Sequence, residues 1–487
     1  MKRYDVIVIG SGLGGLECAL VLSKEGMNVC VVEKNRQIGG LFQSFVRKGK
    51  TIDSSIHYVG SLDKGEILHR YFSYFGIMEA LKVERLNENG YDHIHIGDEH
   101  YSLAMGHENF VESLSARFPK EHDSIKMYSD AIRKVGELSS VDVLKTGIFS
   151  GNGMDYFTQS AIAEIENITS DAKLREVLWG TSLLYAGVKE ETPFYLHAIT
   201  NNSNLQGAYR FRGGSHQVAS ALAQEIKKNG GTIITDSEVT RIVIERDSLK
   251  GVVISNEEMI ESKYVISNLH PSSTLKLLDE NIYIRNSYTK RITQSKSSYG
   301  LFCLYLIMKP DSFRYINENH YIKGISPGDD YALVSMQSPE KDSAYAEVVT
   351  IVTPMYYSEV ERWSATTVEK RGEEYRDFKN NRAHALLNYV SACFPGLKES
   401  VEYMYTATPL TFRDYTSNPE GSAYGMQKNY KTPYSSLISP KSKVPNLLLT
   451  GQNLNVHGVV GVTITSMLTC SEIIKGDYLA KKIGNLL

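Results

Sequence analysis

The chain has no cysteine pair spaced as CxxC, and its five cysteines, Cys18, Cys30, Cys303, Cys393 and Cys470, are an odd number. Neither a disulfide framework nor a structural zinc site is expected, no metal site is assigned, and a reducing, cytoplasmic setting fits best. Charge of one sign is not in excess: 53 basic residues stand against 56 acidic ones, a formal net charge of −3. No basic cluster interleaved with aromatics occurs, so nucleic acid is not expected as a partner. An uninterrupted apolar run of about 20 residues, the length a membrane-spanning helix needs, is also missing. The nearest stretch, 456–474, contains His457, several Ser and Thr, and Glu472, and reads as a buried helix. Lys2 and Arg3 precede an apolar run, but Val6–Ile9 is too short for a signal-peptide core and leads straight into glycines.

What is present begins at that run. At 487 residues the chain exceeds what one core usually organises, so two domains are expected, possibly interleaved. Tyr4–Ile9 alternates and runs β-branched through Val6, Ile7, Val8 and Ile9, as a buried parallel strand does. Gly10, Gly12 and Gly15 follow with G-x-G-x-x-G spacing, Gly14 among them. A helix-compatible stretch, Leu16–Lys24, then a second strand, Val29–Val32, end at Glu33. Strand, glycine turn, helix, strand and acid in that order mark a dinucleotide fold. Gly10 permits the tight turn, Gly12 lets backbone approach a pyrophosphate, and Gly15 lets helix and strand pack closely. The helix N-terminus offers free N–H groups to the phosphates, and Glu33 can accept from the adenosine ribose hydroxyls. A second glycine turn, Gly39-Gly40, suits the longer reach of FAD. Lys34 and Leu41, beside these groups, join the candidate cofactor contacts.

Farther along, Asp53-Ser54-Ser55-Ile56-His57-Tyr58-Val59-Gly60 completes a pattern that resembles the flavin amine oxidase and phytoene desaturase superfamily. The resemblance is strongest to the branch of phytoene desaturases, carotenoid isomerases and retinol saturases. It implies an α/β fold: a Rossmann-like FAD-binding domain of the glutathione-reductase type with an interleaved α+β substrate domain. The implied FAD domain comprises 1–80, 205–272 and 440–487, and the substrate domain 81–204 and 273–439. Phe211–Ser215, a helix over Gln217–Lys228, strands at Thr232–Thr235 and Val239–Ile244, and a hairpin from Gly251–Ile254 to Tyr264–Ser267 return the chain to the FAD domain. The resemblance places the backbone of Val239 at the adenine and makes Ser267, Asn268 and Pro271 the exit from this unit. Near the end, a strand over Asn446–Thr450, Gly451, Gln452, Asn453, His457, Gly458, Gly461 and a helix over Val462–Ile474 resemble the family's C-terminal flavin motif. Gly451, Gln452, Asn453, Gly461 and Val462 are thereby implied cofactor contacts. The family usually has an acid after the glycine; here it is Gln452, whose amide can bind a ribitol hydroxyl.

The segment from Arg413 to Gly425, including Tyr415, Pro419, Gly421, Ser422 and Tyr424, resembles the stretch that leads into the flavin site. Aromatic walls suit a long apolar substrate with few polar groups. His57, His457 and Tyr424 are the candidate catalytic side chains, the histidines as proton donors beside the flavin or as its hydrogen-bond partners. Gly151-Asn152-Gly153 lacks the strand and acid of a second nucleotide site. Electrons are then expected from a separate donor protein or from NAD(P)H visiting the flavin transiently. Saturation of a carbon–carbon double bond in a retinoid-like or other isoprenoid polyene is the leading expectation. Desaturation and redox-neutral cis–trans isomerisation remain open. So does a prenyl-lipid carrier of the Rab GDP-dissociation-inhibitor type, which would show degraded glycine and acid motifs. Val141–Phe157 is apolar enough to touch a bilayer surface peripherally.

Overall fold

In the computed structural model, which describes residues 3–137, 143–146, 153–324 and 331–484, two seven-stranded sheets organise the chain. Their strands, in chain order, begin with β1 (Arg3–Ile9), β2 (Val29–Val32), β3 (Asp92–Ile96), β4 (Glu99–Leu103) and β5 (Thr232–Ile234). Then come β6 (Val239–Glu245), β7 (Ser248–Ile254), β8 (Met259–Ser267) and β9 (Gly300–Met308). The last are β10 (Asn319–Lys323), β11 (Tyr331–Met336), β12 (Val348–Met355), β13 (Val401–Ala407) and β14 (Leu447–Leu449). Four helices flank the sheets: α1 (Leu13–Lys24), α2 (His216–Lys228), α3 (Glu373–Ser391) and α4 (Gly458–Ser471).

The first sheet has the order β6-β7-β8-β1-β2-β5, with β14 also paired to β8. Val6, Ile7 and Val8 are fully buried, because both faces of β1 are covered; a parallel central strand is apolar throughout for that reason. Ile9 pairs with Val32 on one side and Ser267 on the other, and Ser267 pairs with Leu449. The parallel strands therefore end together. Gly10, Glu33, Asn268 and Thr450, each the next residue, come to one edge of the sheet, where open α/β sheets bind their ligands.

The second sheet has the order β13-β9-β12-β11-β10-β3-β4. Alternation divides its residues. Phe302, Leu304 and Leu306 pack with Leu386, Leu387 and Val390 of α3, whereas Cys303, Tyr305 and Ile307 join the main core. On that main-core face the register aligns two cross-strand rows. One is polar: Tyr405, Tyr305, Thr350, Ser335, Asn319 and Asp92. Its neighbour is largely apolar: Ala407, Cys303, Val352, Leu333, Tyr321 and Ile94.

Two helix starts differ from expectation. α1 begins at Leu13 rather than Leu16, and α4 at Gly458 rather than Val462. Gly14, Gly15 and Gly461 thus lie inside helices. They are there because a side chain has no room: a Cβ on Gly15 would stand 2.2 Å from the Gly10 carbonyl oxygen, and one on Gly461 2.6 Å from that of Val456. The apolar stretch 141–157 falls partly outside the described residues. Within it Val143, Leu144 and Phe157 are buried, so these three are core and not a membrane-facing surface. Among the described residues no helix is long and apolar enough to cross a membrane.

Candidate flavin site

The glycine turn between β1 and α1 builds a cradle for a phosphate. Gly10 has φ of +90°, a conformation that side chains other than glycine's disfavour. Gly12 is the N-cap of α1 and makes no side-chain cap bond, so the first N–H groups of the helix are not satisfied by a capping side chain. A Cβ on Gly12 would meet Asn268 Nδ2 at 2.6 Å. One on Gly14 would meet Asn268 Oδ1 at 3.1 Å and both Gly451 N and Val462 Cγ1 at 3.2 Å. Asn268 is thus the common neighbour of the first and last glycine turns, beyond its expected place at the exit from β8. The second glycine turn closes on the first: Gly39 N donates to the Ser11 carbonyl at 3.0 Å, and Gly12 and Gly39 form an isolated parallel bridge.

Glu33 is buried and held in place. Ser11 donates to its Oε2 from both N (2.9 Å) and Oγ (2.7 Å), and Asn35 N donates to Oε1 at 2.8 Å. The carboxylate is fixed at the end of β2 before any ribose arrives. Lys34 points elsewhere: its Nζ donates to Ser417 Oγ at 2.6 Å and to the Asp414 carbonyl at 3.2 Å. Leu41 is half-buried in the short turn Gly40–Phe42, and Val239 is buried at the start of β6, paired with Ile254.

The C-terminal motif meets this cradle. Gly451 has φ of +97°, and a Cβ there would stand 2.6 Å from Asn268 Oδ1. Gln452 is half-buried beside it. Asn453 is buried, and its Oδ1 accepts from Met426 N at 3.2 Å, so it positions the Gly425-Met426 turn. His457 is the N-cap of α4, again without a side-chain cap bond. Behind these two helix starts α1 and α4 pack through a buried carboxyl, which the sequence motifs did not single out. Thr463 Oγ1 and Ser466 Oγ each donate to Glu17 at 2.7 Å. Burial pushes Glu17 up to about 8, against the pull of those two hydroxyls, so it is protonated at neutral pH.

Of the three catalytic candidates, Tyr424 and His457 come together, with ring centroids 5.1 Å apart. Burial, with a smaller effect from Lys428, lowers His457 to about 3, and burial raises the Tyr424 phenol. His57 instead lines a polar cavity with Asp53, Arg210, Ser335, Gln337 and Thr350. Burial and then Arg210 lower it to about 4. Both imidazoles are neutral at pH 7, where they orient or accept rather than serve as strong acids. Lys428 carries no motif signal, yet its buried Nζ donates to the carbonyls of Ser436 (2.6 Å), Asn453 (3.2 Å) and Leu454 (3.3 Å). Burial lowers it to about 7.

Two uncapped helix starts, glycines without room for a side chain and a pre-set acid at a sheet edge define a dinucleotide-binding flavoprotein, and the residues present fit FAD. A model of the family "Flavin containing amine oxidoreductase" matches residues 13–466, and the chain belongs to that family, as an FAD-dependent oxidoreductase. It is 25% identical to an all-trans-retinol 13,14-reductase of Danio rerio, covering 99% of this chain and 89% of the relative. It is also 25% identical to a chloroplastic prolycopene isomerase of an Oncidium hybrid cultivar, over 100% of this chain and 86% of that one. Among solved structures, putrescine oxidase bound to putrescine superposes with a TM-score of 0.67 at 15% identity, covering 97% of this chain and 99% of that one, a likeness of fold alone.

Proposed function

We propose that this protein reduces a carbon–carbon double bond of a long apolar polyene or isoprenoid, with FAD as the redox group. The observation that carries this is the row Ala407, Cys303, Val352, Leu333, Tyr321 and Ile94, an apolar wall on the main-core face of the second sheet. Tyr424 packs against the same core cluster as this wall, which includes Cys303 and Tyr321, and its ring lies 5.1 Å from that of His457, at the start of the flavin motif's helix. Such a wall binds hydrocarbon and offers little to a charged amine. The names of the relatives, a retinol reductase and a prolycopene isomerase, agree with a polyene substrate. Bound FAD supplies two-electron redox chemistry; the protein's part is to bind, orient and keep water away.

Redox-neutral cis–trans isomerisation is the second reading, favoured by the similarity to the isomerase. One experiment separates the two. The purified protein is reduced anaerobically with dithionite, mixed with a panel of polyenes and followed by its visible spectrum. A reductase returns to the oxidised flavin spectrum once per substrate saturated. An isomerase converts the polyene with the flavin left reduced. A protein that remains reduced and changes no polyene sinks both. Repeating the reduction with NADPH in place of dithionite tests whether a nicotinamide reaches the flavin directly.

A further inference from the structure

A buried polar chain crosses from the polar row of the second sheet to its apolar neighbour. Asp92 on β3 is fully buried. Its Oδ2 accepts from the Tyr58 hydroxyl at 2.8 Å, and that hydroxyl lies 2.6 Å from the hydroxyl of Tyr321. Its Oδ1 accepts from Asn319 Nδ2 at 2.9 Å. The Asn319 amide is oriented by Arg210 at 2.8 Å and Ser335 Oγ at 3.0 Å, both donating to its Oδ1. The flavin cradle uses none of these groups. Titratable neighbours of Asp92 are Tyr91 just before its strand, His93 on it, Tyr58 from the loop after Asp53, Arg210 opposite, and Tyr321 on β10.

We propose that Asp92, Tyr58 and Tyr321 form a proton relay that serves the double-bond reduction set out above, with the Tyr321 phenol as terminal donor to a substrate carbon. The inference rests on that reduction. Three features support it. The chain ends at Tyr321, which stands in the apolar row paired with Leu333. It is continuous, with two short hydrogen bonds and no exposed member. And its direction depends on one proton. With Asp92 ionised, Tyr58 donates to the carboxylate and Tyr321 donates to Tyr58, so no proton faces substrate. With Asp92 protonated the chain reverses: Asp92 donates to Tyr58, Tyr58 to Tyr321, and the Tyr321 proton is free. Burial pushes Asp92 up to about 7, offset in part by Asn319 and Tyr58, so both directions are populated near neutrality.

The step balances. With two-electron-reduced FAD bound to supply the hydride, the alkene would gain that hydride on one carbon and the Tyr321 proton on the other. The π bond is lost, two C–H bonds form and the flavin is oxidised. Proton shifts along the chain restore both phenols and leave Asp92 as carboxylate. Water reprotonates it between turnovers, the polar cavity lined by Arg210 and Ser335 being adjacent.

The test pairs infrared titration of the FAD-loaded protein with anaerobic single-turnover reduction of a polyene. A carboxylic acid band lost as pH rises through about 7, and missing from Asp92→Asn, is expected. Polyene reduction should slow over the same range. Tyr321→Phe should slow it about 100-fold with flavin binding unchanged, the scale of a lost general acid. Wild-type rates in Tyr321→Phe, or no such band at any pH, would overturn the relay while leaving the reductase reading intact. A titrating band in a protein that reduces no polyene would instead sink the double-bond reaction, and the relay's task with it.

Discussion

Gly12 is the residue of the cradle where an added side chain would stand at the N-terminus of α1 itself. Its missing side chain leaves the space that Asn268 Nδ2 borders, 2.6 Å from where a Cβ would be. Gly12→Val should therefore yield folded protein without bound flavin, checked by the visible absorbance after purification; a fully yellow variant would mean the cofactor lies elsewhere. Residue by residue, legibility followed local chemistry. Gly10, Gly12, Gly15 and Glu33 are legible because their spacing is imposed by one turn. Lys428, Arg210 and Asp92 are not, since what makes each unusual is burial, against nearby loop carbonyls for Lys428 and against Asn319 on a distant strand for the other two. Asp92 shares a sheet face with Ile94, and a lone acid in an alternating strand is the faint signal that could have found it. The histidines show the converse. The sequence singles them out, but their charge state depends on burial that no motif encodes.

At the scale of the element, the seam between α1 and α4 has a pH signature. Glu17 is raised from 4.5 to about 8, so between those values the folded state holds a proton that the unfolded state has lost. Stability must fall as pH rises through that window, by up to about 1.4 kcal/mol per pH unit, and is unpenalised below it. Glu17→Gln removes the titration. Its Tm should match wild type in acid and exceed it increasingly as pH climbs towards 8. A Tm difference that is constant with pH would show that the carboxyl is not held neutral. The turn at Gly421 is a second element-level constraint. It has φ of +60°, and a Cβ would overlap the Pro409 carbonyl. Gly421→Ala should cost on the order of 1–3 kcal/mol, read by denaturant midpoint. Strand and helix identities in the first sheet were legible from apolar runs. The starts of α1 and α4 were not, because a glycine that stops a helix and one that lets it touch a neighbour look alike in sequence.

On the scale of the whole molecule, the candidate flavin site draws on residues 10–40, Asn268 and the motif from Gly451 to Val462. A ligand that touches all three ties them together. FAD at a hundredfold excess over its Kd should add about 2.7 kcal/mol. Limited proteolysis should show the gain most clearly as protection of the chain after β14. Equal cleavage with and without FAD would mean the C-terminal motif does not close on the cofactor. The two-sheet architecture was legible only as a resemblance carried by the flavin motifs. The strand order of the second sheet depends on pairings such as Asn319 with Asp92, which local periodicity does not specify. That same distribution of the site has a consequence during synthesis. When β1, α1 and β2 leave the ribosome they have one another, but β8 and β14 are still unmade. The nascent chain must keep the apolar end of β1 guarded, without cofactor, until at least β8 has been translated.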